Sequence, residues 1–219
     1  MVVAPDIPSF FIMKNSSFIN EMERKLFHLA IILLPLSYIF FEKKLLLYFL
    51  IPISVLIIGV DYGRRKLPII KNIFDKLFGR ILRDHEANNG WLGASFMAVA
   101  ACLIFSFFPK IIALNAFTIL AISDAVASLI GKKIPTMPFF EKSIAGSSAF
   151  FISSLIILIG YGIGFEQHFG YYLFGLLAIC ATTIIEARPS ILDLDDNLTI
   201  PLTFSLVMII FSFIWNYHY

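Results

Sequence analysis

The side chains able to do chemistry lie in four short stretches of an otherwise apolar chain. The sharpest begins at Asp124 and runs through Ala127, Gly131, Lys132 and Lys133 to Lys142, Ser143, Gly146 and Ser147. Asp124 stands inside a hydrophobic run, where an unpaired carboxylate would cost several kcal/mol, so it requires a cation or a proton as partner. Ala127 and Gly131 have the small-xxx-small spacing that lets another backbone come close. Lys142 and Ser143 precede a small-residue segment, and a helix starting there would offer backbone N–H groups beside a lysine, an arrangement suited to phosphate. Simple packing of Asp124 against Lys142 is the competing reading, and the functional habit of intramembrane acids weighs against it.

A second stretch places Glu186, Asp193, Asp195, Asp196 and Asn197 at the mouth of the last apolar run. Such carboxylates can be mere helix caps, but oxygen ligands next to a phosphate site also suit Mg²⁺, which takes one or two carboxylates plus substrate phosphates. The third stretch is Glu21, Arg24, Lys25 and His28. Asn20 with Glu23 three residues on resembles a capping pair, so a helix should start here and bring Arg24 and His28 to one face. The fourth joins Asp61 and Arg64 to Arg83, His85 and Glu86, ahead of Gly90 and Gly93. Taken singly, the last two stretches read as positive-inside anchors and solvated loop charge.

The elements that must carry these residues are set by composition. Hydrophobic residues make up 59% of the chain and charged ones 15%, with a mean hydropathy of +0.87; soluble domains average about 45–50% and about 25%. The fold class expected is all-α, a polytopic membrane helix bundle in one domain over 1–219, with an N-terminal arm at 1–20. A bilayer core about 30 Å thick takes about 20 helical residues, and seven candidate spans appear near 26–41, 44–60, 92–108, 111–130, 146–164, 169–186 and 198–215. The stretch 63–86 sets Ile70, Ile73, Phe74, Leu77, Phe78, Ile81 and Leu82 on one stripe with Lys71, Lys76, Arg80 and Arg83 off it, the pattern of an amphipathic helix in the headgroup plane.

Charge is lopsided. Lys14, Arg24, Lys25, Arg64, Arg65, Lys66, Lys71, Lys76, Arg80, Arg83, Lys132, Lys133, Lys142 and Arg188 fall on one side of such a bundle, and only Lys43, Lys44 and Lys110 on the other. By the positive-inside rule the first side is cytoplasmic, facing inward from the inner membrane if the cell is bacterial. A net charge of +2 argues against nucleic acid as a partner. Cys102 and Cys180 lie in apolar runs without partners at metal or redox spacing and read as packing. The first apolar run lacks a small-residue cleavage site and is expected to be a retained helix. Bases for phosphate, acids for a divalent metal and an apolar bundle for a lipid tail suit transfer between a soluble nucleotide and a lipid.

Asp124-x-x-Ala127-x-x-x-Gly131 followed by Lys142-Ser-x-x-Gly146 resembles the CTP-binding signature of the dolichol kinase and phytol kinase family, which includes CTP-dependent diacylglycerol kinases. The likeness extends to Glu21-x-x-Arg24-Lys25-x-x-His28, to Arg83-x-x-Glu86 before Gly93-Ala94, and to Leu194-Asp195-Asp196-Asn197-Leu-Thr-Ile-Pro201. It departs at Pro135, where a glycine is expected, and at Glu141-Lys142, where a lysine pair is expected. The resemblance implies a membrane kinase using CTP and Mg²⁺ to phosphorylate a polyprenol, phytol-like alcohol or diacylglycerol. On that reading Asp124, Lys142 and His28 are the catalytic candidates. Arg24, Lys25, Arg83, Gly131, Lys132, Ser143, Gly146 and Ser147 would hold the nucleotide, and Asp124, Glu186, Asp195, Asp196 and Asn197 the metal. His28 or Asp124 would accept the alcohol proton.

Two other readings compete. A phosphatidate cytidylyltransferase also binds CTP and Mg²⁺ in an apolar bundle, although its long C-terminal signature is missing here. A transporter would need ionisable groups or broken helices near the midplane, where Asp124 alone stands deep.

Overall fold

The computed structural model describes residues 24–215 apart from Phe27, Pro135, Asp193 and the side chain of Asp84. The 1–20 arm, Glu21, the Asn20–Glu23 cap, the Pro135 departure and Asp193 therefore lie outside the described residues. What is described is helical except for a two-residue-per-strand hairpin.

Helical residues at 24–26 and 28–29 lead into a 3-10 turn at Ala30–Ile32 and then α1, Leu33–Phe40. Apart from a single helical turn at Asp84–Ala87, the remaining helices are α2 (Lys43–Lys66), α3 (Pro68–Phe78), α4 (Gly93–Phe107), α5 (Lys110–Lys133), α6 (Ile144–Gly164), α7 (Phe169–Ala187) and α8 (Asp196–Ile214). Five of them, α2 and α5 to α8, are long and apolar enough to cross a membrane. The expectation of seven spans is thus corrected. Helix α4 has 15 residues, which at about 1.5 Å per residue gives roughly 22 Å, short of a bilayer core of about 30 Å. The first candidate span is broken by its 3-10 turn and leaves α1 with eight residues. Hydropathy found all seven apolar stretches, but it does not measure how far a helix runs unbroken.

Helix α5 is the centre of the bundle. It is buried along most of its length, and its alanines Ala113, Ala116, Ala121, Ala125 and Ala127 let α1, α4, α6 and α8 pack around it. A helix apolar on every side is a core helix, which is what α5 becomes. Two of its polar residues reach partners on neighbouring helices. Asn115 Nδ2 donates to the Ile111 carbonyl and, at 2.9 Å, to the Tyr171 hydroxyl, and Thr118 Oγ1 lies 2.8 Å from the Tyr161 hydroxyl. Between Ile119 and Ser123 the helix widens into a π turn, so that the Asp124 amide reaches back to the Ile119 carbonyl.

The two ends of the bundle differ in chemistry as the sequence led us to expect. At one end Lys43 Nζ donates to the Ser106 carbonyl and Lys110 Nζ to the Ile39 carbonyl, closing the turns there. Among the described residues, the charged groups of the four polar stretches gather at the opposite end. The amphipathic stretch expected at 63–86 is shorter than drawn: 63–66 still belong to α2, and α3 ends at Phe78 before a 3-10 turn at Gly79–Ile81. Proline at the first position of α3 starts a new helix there, since its missing N–H is one that a helix start leaves unpaired anyway. Leu67, Ile69, Ile73 and Leu77 remain exposed on or beside α3, ready for a lipid surface.

Candidate active site

Asp124 opens the last 10 residues of α5, just past the π turn. Its carboxylate makes a buried ion pair with Lys25, and His28 Nε2 lies 3.5 Å from the same oxygen. The partner that an intramembrane acid requires is therefore a lysine 99 residues earlier in the chain. His28 Nε2 also sits 2.9 Å from the Leu120 carbonyl. A carbonyl can only accept, so that nitrogen carries the proton, and His28 holds the N-terminal helix against the π turn.

Lys142 is delivered by the hairpin. Strands β1 (Pro138–Phe139) and β2 (Lys142–Ser143) pair antiparallel with Phe139 opposite Lys142. The turn has Phe140 at φ 53°, and the Glu141 N–H donates to the Ala187 carbonyl at the end of α7. So anchored, Lys142 Nζ stands 2.7 Å from Glu186 Oε1 and 3.1 Å from Asp196 Oδ2. Burial disfavours its ammonium, but Asp196, Glu186 and then Asp124 outweigh that and raise its pKa above the ordinary lysine value. Ser147 Oγ reaches the other Glu186 oxygen at 3.4 Å.

The α5–α6 contact brings these groups together. A Cβ on Gly146 would lie 3.0 Å from the Ala127 carbonyl and 3.3 Å from Gly131 Cα, so the small-residue spacing does let the two backbones touch. The start of α6 is nevertheless not an open phosphate cradle. The Ile144 N–H donates to the Met137 carbonyl, the Ala145 N–H to Thr136 Oγ1, and the Gly146 N–H to Ser143 Oγ. With those donors occupied, anion binding here falls to cationic side chains.

At the start of α8, Asp195 is the N-cap. Its Oδ1 accepts from Asn197 N and Nδ2, and its Oδ2 accepts from Arg83 Nη1 at 2.6 Å. Burial works against the Arg83 guanidinium, yet Asp195 and then Glu86 raise its pKa. Asp196 is different, because its Oδ1 is buried without a hydrogen-bond partner among the described residues. An orphaned carboxylate oxygen beside Glu186 and Lys142 fits one ligand of a divalent cation completed by substrate phosphate. Among the described residues there is no preformed cluster of three or more acids or histidines able to hold a metal unaided.

The residues converge on a cleft of about 950 Å³. It is lined by Arg24, Lys25, Arg83, Lys132 and Lys142 and by Asp124, Glu141, Glu186, Asp195 and Asp196, with Gly131, Ser143 and Gly146 among the rest of the wall. His28, Ser147 and Asn197 stand behind it, each touching a lining residue. Asp61 and Arg64, which read as loop charges, are instead fully buried. Arg64 Nε donates to Asp61 Oδ1, its two Nη atoms donate to the Glu86 and Gly90 carbonyls, and Asp61 Oδ2 accepts from the Leu92 N–H and Ser95 Oγ. Glu86 in turn accepts from the Arg83 and Gly93 N–H groups. This knot fixes the loop that presents Arg83. The only signal of it in the sequence was an i, i+3 acid–base pair at the end of an apolar run.

An uncharacterised Rickettsia prowazekii protein, RP860, is 33% identical to this chain over 207 residues, covering 92% of it and all of the relative. The chain belongs to the family of that protein and is a distant homologue of phytol kinases and CTP-dependent diacylglycerol kinase. The rice protein named "Probable phytol kinase 2, chloroplastic" is 36% identical over 100 residues, 40% of this chain and 32% of the relative. CTP-dependent diacylglycerol kinase 1 of Schizosaccharomyces pombe is 26% identical over 160 residues, 64% of this chain and 69% of the relative. No family model and no solved structure matches.

Proposed function

We propose that this lipid-kinase homologue transfers the γ-phosphoryl group of CTP to the hydroxyl of a lipid alcohol, a polyprenol, a phytol-like alcohol or diacylglycerol, at the cytoplasmic membrane face. One observation carries the reading: Asp124, Lys142 and Asp196, from three distant stretches, line one cleft at the charged end of an apolar bundle. The phosphate O–P bond to the leaving CDP breaks as the new bond to the alcohol oxygen forms, and the alcohol proton passes to the Asp124 carboxylate. Such a transfer depends mainly on positioning and charge neutralisation.

Lys142, Arg83, Arg24, Lys25 and Lys132 hold the triphosphate. Asp124 faces the reacting hydroxyl and orients it, while Lys25 and His28 keep Asp124 in place. Asp196 through its unpartnered oxygen, with Glu186, holds Mg²⁺, which supplies neutralisation of phosphate charge when bound. Asp195 and Asn197 set the angle of the α8 start and place Arg83. The test is purified protein with labelled CTP or ATP and a panel of lipid alcohols. Release of CDP with a phosphorylated lipid supports the kinase, whereas pyrophosphate release would indicate cytidylyl transfer. Substrate flux without nucleotide would indicate a transporter.

A further inference from the structure

Beside the polar cleft runs a second cavity of about 510 Å³, lined by aliphatic and aromatic side chains, with Ser37 and Ser54 as its polar lining residues. It exists because α1 packs on α5 and only grazes α2, so α4 becomes the floor of a trench between α1 and α2. Its near end, at Ile57, Ala94 and Ile31, adjoins the charged end of the bundle. Its far end lies at Leu45, Phe41 and Ala101. Trench and cleft are built on the same two elements: Phe96 of α4 lines the cleft while Ala94 and Met97 line the trench, and Arg24 and Lys25 of the cleft precede Ile31 and Leu34 of the trench on one N-terminal segment.

We infer that this trench is the binding site for one hydrocarbon chain of the acceptor alcohol, with the hydroxyl directed to Asp124 and the chain length read at Ser37 and Leu45. The inference rests on the lipid-alcohol reading above and adds where the chain lies. From Leu45 to Ile57 the α2 wall runs about 18 Å at about 1.5 Å per residue. A zigzag chain with bonds of about 1.5 Å advances roughly 1.3 Å per carbon, so the trench takes about 14 carbons. A volume of about 510 Å³ over that length leaves a cross-section of about 28 Å². Chains in van der Waals contact occupy about 20 Å² each, so one fits and two do not. A second chain on the acceptor would lie in the bilayer.

Tetradecanol bearing a diazirine at its terminal carbon, photolysed with the protein in lipid nanodiscs, tests this directly. Labelling should concentrate on far-end residues such as Leu45, Phe41 and Ala101, and fall at least about fivefold with excess unlabelled tetradecanol. Ser37→Phe and Ser54→Phe, each checked for folding by size exclusion and thermal melting, should lower it similarly. In the transfer assay kcat/KM should climb from hexanol to tetradecanol and then level off, with the plateau moved to shorter alcohols in Ser37→Phe. Labelling spread over the outer faces of α6 and α7, or unchanged in both folded variants, overturns the inference. Site-specific labelling without transfer to any alcohol removes the kinase reading and leaves the chain site standing; transfer with diffuse labelling does the reverse.

Discussion

Lys142 and Asp124 are the residues on which the proposed chemistry turns, and their removal has separable consequences. Asp124→Asn keeps shape but removes the charge facing Lys25 and His28; transfer should fall on the order of a hundredfold or more, the usual weight of a positioned polar group. Lys142→Met leaves Glu186 and Asp196 facing each other without their cation. Breaking a fully buried pair costs about 3–5 kcal/mol, and the 30% exposure of the Lys142 side chain brings the expected loss to about 2 kcal/mol. Adding Glu186→Gln should recover most of that stability in thermal unfolding, which marks the loss as one of charge pairing. The raised pKa of Lys142 also has a sign. Its ion pairing is fully present below the unfolded value of about 10.5 and is lost only as pH rises through the still higher folded value. Activity should therefore show no basic limb from Lys142 through the mildly alkaline range.

At the scale of elements, the site depends on two backbone features. Close α5–α6 contact at Gly131 and Gly146 sets how near the hairpin lysine comes to Asp124. Gly146→Val would force the helices apart, costing about 1–3 kcal/mol by overpacking and lowering transfer at least about tenfold. Measured kcat should fall with the protein still folded, because Lys142 moves rather than disappears. The π turn at Ile119–Ser123 is the second feature. Inserting an alanine between Thr118 and Ile119, ahead of the π turn, would add one α-helical residue and turn Asp124 by about 100°. Transfer should be lost and Lys25 left without its acid, which a tryptic accessibility assay at Lys25 would register as new cleavage.

For the whole molecule, the prediction is sidedness. With Cys102 and Cys180 replaced by serine, a single cysteine at Lys76 or Lys133 should react with an impermeant maleimide only from the cytoplasmic side, and one at Lys44 or Lys110 only from the other. The reverse pattern would place the cleft away from cytosolic nucleotide and would sink the proposed donor. The charge asymmetry that motivates this test is also what keeps the cleft at one end, since charges buried in the hydrocarbon layer would cost several kcal/mol each.

Composition, the lopsided charge and the motif spacings were enough to read a helical membrane bundle, the four polar stretches and the kinase likeness, because hydrophobic period and residue type are local properties. Which acid met which base was not local. Asp124 pairs with Lys25 rather than Lys142, and Lys142 pairs with Glu186 and Asp196, because helix packing around α5 and the hairpin docked on α7 decide distances that sequence separation does not encode. Tertiary structure likewise turned Asp61 and Arg64 from loop charges into a buried clamp, filled the N–H groups of α6 with internal acceptors, and reduced seven apolar stretches to five helices long enough to cross. In each case burial sets the cost of an unpaired polar group, and only the packed chain determines what is buried.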